Sequence, residues 1–164
     1  GLVEAVKAGL IGDAALFSLF EETDVYSRID EIIYRSLCVK KRVVEQDEKE
    51  TGLRKTLNFG HTIGHGVESV YGLSGLLHGE SVAVGMLPMI GNSALRERVR
   101  KVFKKIEVNP DMPYDPDAVY EAVTRDKNTH GDAISIICVD EPGKAEIREV
   151  KTASLYALLK GQEQ

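Results

Sequence analysis

A surplus of basic charge, a long apolar run, a cysteine framework and a nucleotide-cradling glycine motif are all missing from this sequence. Each absence removes a class of function. Twenty-one Lys and Arg against 26 Asp and Glu leave a net charge of −5. That argues against general nucleic-acid binding, which needs a concentrated basic surface. No apolar run approaches the ~18–20 residues of a membrane span, and no signal-peptide pattern opens the chain. Cys38 and Cys138 lie far apart with no C-x-x-C partner, and they read as buried free thiols in a reducing, cytoplasmic setting. Neither G-x-G-x-x-G nor a P-loop occurs, and H-E-x-x-H is absent, so the metalloprotease pattern is not met. Repeats and low-complexity segments are lacking too.

What is present is ordinary for a soluble globular protein: 43% hydrophobic and 29% charged residues. A length of 164 residues suffices for one domain with a core, or for two small lobes. Leu2, Val6, Leu10 and Ile11 mark one face of a helix within residues 2–22, interrupted at Gly12-Asp13. Residues 25–47 keep a helical apolar period and carry a cationic cluster, Lys40 to Arg42, which reads as a solvated face. A charged loop follows, and Asn58 is placed to cap a helix bearing His61 and His65. Gly60, Gly64 and Gly66 on that helix each cost up to ~1 kcal/mol, which implies close approach of a neighbouring helix or a ligand. Another helix is expected from His78 to a bend at Pro88, then an amphipathic helix with a basic outer side over residues 93–106. After a proline-rich connector, Asp115-Pro116 opens a further helix. The runs A-I-S-I-I-C-V and K-A-E-I-R-E-V flank a Pro-Gly turn and make a β-hairpin. Thr152 or Ser154 caps a last short helix. With no βαβ unit, the expected fold is mainly α: one multihelical domain over residues 1–164 with one small hairpin near the C-terminus.

The chemistry gathers in residues 54–80, R-K-T-L-N-F-G-H-T-I-G-H-G-V-E-S-V-Y-G-L-S-G-L-L-H-G-E, which hold three of the four histidines. His61 and His65, four apart, share a helix face, and His78 follows a glycine-rich turn. Such a pair by itself also fits surface or packing roles. A third His with a Glu two residues beyond makes a zinc-type site a coherent reading, with Glu4, Glu68 and Glu80 as candidate further ligands. Glu4 and Lys7, three apart, also read as a plain surface ion pair. Lys7, Lys40, Arg54 and Asn58 are donors suited to an anionic substrate. Together these residues describe a metal-assisted enzyme acting on a small phosphorylated or carboxylated molecule.

The run D-E-K-E-T-G-L-R-K-T-L-N-F-G-H-T-I-G-H-G-V-E, then L-L-H-G-E-S-V-A-V-G-M, closely resembles the signature of 3-dehydroquinate synthases. The opening E-A-V-K-A-G-L-I-G-D resembles the start of that family's mostly helical C-terminal domain. The resemblance covers nearly the whole chain. It implies that Glu4, His61 and His78 hold Zn²⁺ (or Co²⁺), and that Lys7, Lys40, Arg54 and Asn58 bind substrate, with Lys40 and Arg54 at its carboxylate. His65 and Glu50 match proton-transfer positions, so His65 is no longer read as a ligand. Lys127 matches a phosphate-contacting lysine, and Asn128 departs from the usual second lysine.

The implied reaction turns 3-deoxy-D-arabino-heptulosonate 7-phosphate into 3-dehydroquinate and phosphate, a lyase step of the shikimate pathway toward chorismate and aromatic amino acids. It uses NAD held by an N-terminal domain that this chain does not resemble. The start at Gly1, without Met, is expected of a part of a longer protein, and the isolated chain is expected to have no turnover. A homodimer is implied for the complete enzyme, with a small phosphorylated sugar acid as its partner and neither nucleic acid nor membrane. Related cyclases such as 2-deoxy-scyllo-inosose synthase, or a non-catalytic metal-binding helical module, are the alternatives.

Overall fold

A helix buried on nearly every side lies at the centre of the computed structural model, which describes residues 1–49, 52–72, 75–126 and 132–161. This helix, α1 (Leu2–Gly12), has eight buried residues, including Val3, Ala5 and Ala8 as well as the expected Val6, Leu10 and Ile11. A single apolar face was too little to expect of it, because small residues at positions 5, 8 and 9 let neighbours close on the other sides. Asp13 ends α1 and starts α2 (Ala14–Glu22), its side chain accepting the Leu16 N–H at 3.1 Å. A single helical turn, Tyr26–Arg28, leads into α3 (Ile29–Gln46), which turns Ile32, Val39 and Val43 inward.

A 3₁₀ turn (Leu53–Asn58) precedes α4 (His61–Tyr71), and α5 (His78–Met86) runs into a second 3₁₀ turn (Leu87–Met89) at Pro88. Asn58 is not the cap of α4. It closes the 3₁₀ turn, and the cap is Gly60 at φ 78°, a left-handed conformation that glycine adopts without strain. The close approach expected of the α4 glycines is present. A Cβ at Gly64 would stand 2.9 Å from the Ser81 carbonyl oxygen, and one at Gly85 would stand 2.0 Å from that of Gly60. Gly60 lies by Met86, Gly64 by Val82 and Glu68 by His78, so α4 and α5 run antiparallel with their backbones in contact. On its other side α4 meets α7 (Pro116–Asp126), with Gly66 against Val119 and Val123.

Between these, α6 (Ser93–Lys105) is capped by Asn92, whose side chain accepts from the Ala94 and Leu95 N–H groups. Its basic side was read as solvation, yet several charges are structural ties. Lys105 donates to the Phe20 carbonyl at 2.9 Å, Arg96 to Ile90, and Arg98 grips Glu21 with two bonds at 2.7 and 2.9 Å. The long Lys105 stem reaches the carbonyls of Phe20, Glu21 and Thr23 at the end of α2, where positive charge is favoured.

The hairpin of β1 (Ala133–Glu141) and β2 (Lys144–Lys151) is antiparallel, with Ile137 opposite Ile147. Its turn is fastened to α1 by the Gly143 N–H, which donates to the Leu10 carbonyl at 2.8 Å. The last helix, α8 (Thr152–Lys160), begins one residue after β2, with Lys151 in the cap position and the Thr152 hydroxyl bonded to the Asp132 carbonyl. Neither Thr152 nor Ser154 is therefore its cap.

One continuous core joins Val6 and Leu10 to Phe17, Phe20, Ile63, Met86, Phe103, Val139 and Leu155. Fully burying a side chain of this kind stabilises by about 1.5–3 kcal/mol. Cys138 belongs to this core, but Cys38 is exposed, because it lies on the outward side of α3. Among the described residues no helix is long and apolar enough to cross a membrane.

Candidate metal centre and substrate cleft

Three elements bring the metal-type donors together: α1 carries Glu4, the first turn of α4 carries His61, and the first residue of α5 is His78. One ligand atom from each of these three residues lies within 4.8 Å of the other two. An ion with ~2.0–2.2 Å bonds to imidazole and carboxylate falls within reach of small side-chain rotations. His61 Nε2 is 3.8 Å from Glu4 Oε1, while its Nδ1 is 3.2 Å from the Phe59 carbonyl oxygen. A carbonyl only accepts, so Nδ1 carries the proton and Nε2 presents a lone pair toward Glu4. Burial first, and then the positive charge of Lys7, holds the His61 imidazole below its ordinary value; the Phe59 carbonyl and Glu4 pull the other way. The result favours the neutral, ligating form. Two imidazoles and a carboxylate with an open side thus fit a zinc-type cation.

The second carboxylate oxygen of Glu4 meets Lys7 Nζ at 2.7 Å. Their i,i+3 spacing read equally well as a surface pair, but Lys7 is 5% exposed. Its ammonium is held below its usual value chiefly by that burial, with Glu4 opposing and Lys40 adding to the depression. Lys40, on α3, lies across the same cleft. This cavity of about 690 Å³ is lined by Glu4, Lys7, Lys40, Asn58 and His61, over a floor that includes Ile32. Five of the site residues expected from sequence therefore share one cavity.

Arg54 and His65 do not line this cavity. Arg54, in the turn before α4, takes its place because Asp47 accepts its backbone N–H at 2.9 Å, and its guanidinium donates to the Glu48 carbonyl at 3.0 Å. His65, one turn on from His61, lines an adjoining space of about 470 Å³ with Asn58, His61 and Ser135. The three imidazoles form a triangle with centroids 5.4, 5.4 and 5.9 Å apart. Glu50, Lys127 and Asn128 lie outside the described residues.

Of the candidate further ligands, Glu80 serves α5 instead: its carboxylate accepts the Leu77 N–H at 2.8 Å. Glu68 is 3.2 Å from His78 Nδ1, and its donors, with those of His65 and His78, make a second group within 4.8 Å. Sequence reasoning missed the Phe59 carbonyl, a backbone group that leaves no mark in side-chain patterns. It also missed Gly85, whose signal was a lone glycine in an otherwise ordinary helical run.

The comparisons agree with this architecture. A family described as 3-dehydroquinate synthase C-terminal matches residues 1–129. The 3-dehydroquinate synthase of Lactococcus lactis subsp. cremoris is 37% identical over 175 residues, covering 98% of this chain and 49% of that protein. The chain therefore spans about half the length of the curated relatives it matches. Among solved structures, 2-epi-5-epi-valiolone synthase from Streptomyces hygroscopicus subsp. jinggangensis, with NAD⁺ and Zn²⁺ bound, superposes with a TM-score of 0.76 at 24% identity, over 99% of this chain and 50% of that one. A 2-deoxy-scyllo-inosose synthase complexed with carbaglucose-6-phosphate, NAD⁺ and Co²⁺ gives 0.75 at 22%, over 98% and 51%. At such identities the two structures speak for the fold. The relatives and the match over residues 1–129 speak for the family, and the chain belongs to the C-terminal domain family of 3-dehydroquinate synthases.

Proposed function

We propose that this chain is the metal- and substrate-binding part of a 3-dehydroquinate synthase, a lyase that converts 3-deoxy-D-arabino-heptulosonate 7-phosphate to 3-dehydroquinate and phosphate. The observation that carries the reading is the convergence of Glu4, His61 and His78, with Glu4 and His61 lining the same cleft as the buried Lys7. The names of the relatives support the reaction, and the bound NAD⁺, Zn²⁺ and Co²⁺ of the structural neighbours support a divalent metal and a nicotinamide cofactor. On this reading residues 1–164 form one helical domain. NAD belongs to the half of the relatives that this chain does not span, so turnover needs that half. A cytoplasmic setting and a homodimeric complete enzyme are part of the same proposal.

Glu4, His61 and His78 would hold a Zn²⁺ ion, which would supply Lewis acidity to neighbouring hydroxyls of the substrate. Substrate binding and proton transfer fall to the chain's own side chains. Lys7 sets a fixed, poorly hydrated positive charge beside those hydroxyls, where it acts more strongly than it would in water. Lys40 and Arg54 bind the substrate carboxylate. A guanidinium has five N–H donors, so one bond to the Glu48 carbonyl leaves a fork for two oxygens. Asn58 orients the sugar hydroxyls. His65 exchanges a proton at the phosphate end, with Glu50 as a further proton-transfer group and Lys127 as a phosphate contact. Holding both anionic ends lets one cleft serve successive steps on the same molecule.

The carboxylate gives the sharpest test. The zinc-loaded chain is titrated calorimetrically with 3-deoxy-D-arabino-heptulosonate 7-phosphate and with glucose 6-phosphate, which has no carboxylate. Tighter binding of the sugar acid, lost in Arg54→Ala, is the expected result. Preference for glucose 6-phosphate would move the chain to the 2-deoxy-scyllo-inosose synthase type, and binding of neither would leave a metal-binding module without catalysis.

A further inference from the structure

We propose that Glu68 is a positioning residue for the metal centre: its carboxylate accepts the Nδ1–H of His78 and leaves Nε2 as the lone pair offered to the ion. The inference rests on the reading of Glu4, His61 and His78 as that centre. Its basis is geometric. Glu68 Oε2 stands 3.2 Å from His78 Nδ1, across the contact between α4 and α5. Glu68 is seven residues beyond His61, two helical turns along the same face, so the helix that supplies one ligand also steadies the second. His61 is held in the same manner, its Nδ1 tied to the Phe59 carbonyl at 3.2 Å. Each imidazole therefore has one nitrogen engaged and the other open, the pattern in which an outer acceptor fixes the tautomer and ring plane of a metal-binding histidine.

A rival use of the same atoms is a second cation site, because His65, Glu68 and His78 also have donors within 4.8 Å of one another. The two sets share His78 and cannot both use it as an ordinary one-nitrogen ligand. The first set is better organised. His61 is 16% exposed at its side chain with its ring already fixed, whereas His65 is exposed and its ring makes no hydrogen bond to the described residues. Glu68 and His78 are 40% and 50% exposed at their side chains, so the pair by itself adds little to stability, and its effect is expected in the metal affinity.

Zinc affinity, measured by competition with a chromophoric chelator, tests this on the wild-type chain and on Glu68→Ala, Glu68→Gln, His65→Ala and Glu4→Ala, with melting curves to verify folding. Glu68→Ala is expected to weaken zinc by about 10- to 100-fold without changing its stoichiometry. Glu68→Gln recovers to within a few-fold of wild type, because the amide oxygen still accepts from Nδ1–H. His65→Ala leaves the affinity unchanged. Wild-type affinity in Glu68→Ala would overturn the proposal. So would equal losses in Glu68→Ala, Glu68→Gln and His65→Ala, which would make Glu68 a ligand of the second set. Undiminished zinc affinity in Glu4→Ala would instead overturn the centre itself, and the inference with it.

Discussion

A lysine 5% exposed, beside a carboxylate whose side chain is 46% exposed, puts the buried charge on the cation and leaves the anion facing the cleft. An ammonium out of water is costly unless it is paired, and Glu4 pairs it at 2.7 Å while keeping its other oxygen toward His61. The Glu4–Lys7 spacing was legible in the sequence; the burial was not, because it depends on what packs over α1. Lys7→Met keeps the stem and removes the charge. We expect this variant to retain zinc and to bind the phosphorylated sugar acid about 10- to 100-fold more weakly, the equivalent of a charged hydrogen bond worth about 1.5–3 kcal/mol. Calorimetry of the zinc-loaded variant checks this, and wild-type affinity would remove Lys7 from the substrate contacts.

At the level of elements, the site depends on two helices whose backbones touch. Glycines at 60, 64 and 66 announced a close approach in the sequence, and the structure supplies the partners: α5 for Gly60 and Gly64, α7 for Gly66. What they could not announce was the register that sets His78 opposite Glu68, which depends on Gly85 from the facing helix. The misplaced cap has a similar cause. Asn58 is a favourable residue for a helix start, but the chain makes a 3₁₀ turn there and enters α4 through a left-handed glycine. A methyl group at Gly85 would meet the Gly60 carbonyl oxygen at 2.0 Å, and backbone cannot rotate away as a side chain can. Gly85→Ala is therefore expected to cost about 3 kcal/mol and to lower Tm by about 6–12 °C, weakening zinc binding as the helices part. At Gly79 the added methyl meets only Val3 at 3.6 Å, so Gly79→Ala is expected not to lower Tm. Equal melting of the two variants would show that the α4–α5 contact is not tight.

Across the whole molecule, helix positions and the hairpin followed from apolar periodicity and turn residues, since those patterns act locally. The central place of α1 and the ties from α6 to the end of α2 were not legible, because they are relations between elements distant in sequence. The cleft shows both sides of this. Its residues come from α1, α3, the turn before α4 and the start of α4, and family resemblance named them, but only packing gathers Glu4, Lys7, Lys40, Asn58 and His61 around one cavity. Everything argued for this cavity rests on its metal ligands. The most direct measurement is elemental analysis of zinc in the purified chain beside Glu4→Ala and His78→Ala, each confirmed as folded. One zinc per wild-type chain, absent from both variants, is the predicted result; zinc retained in both would contradict the assignment of the centre.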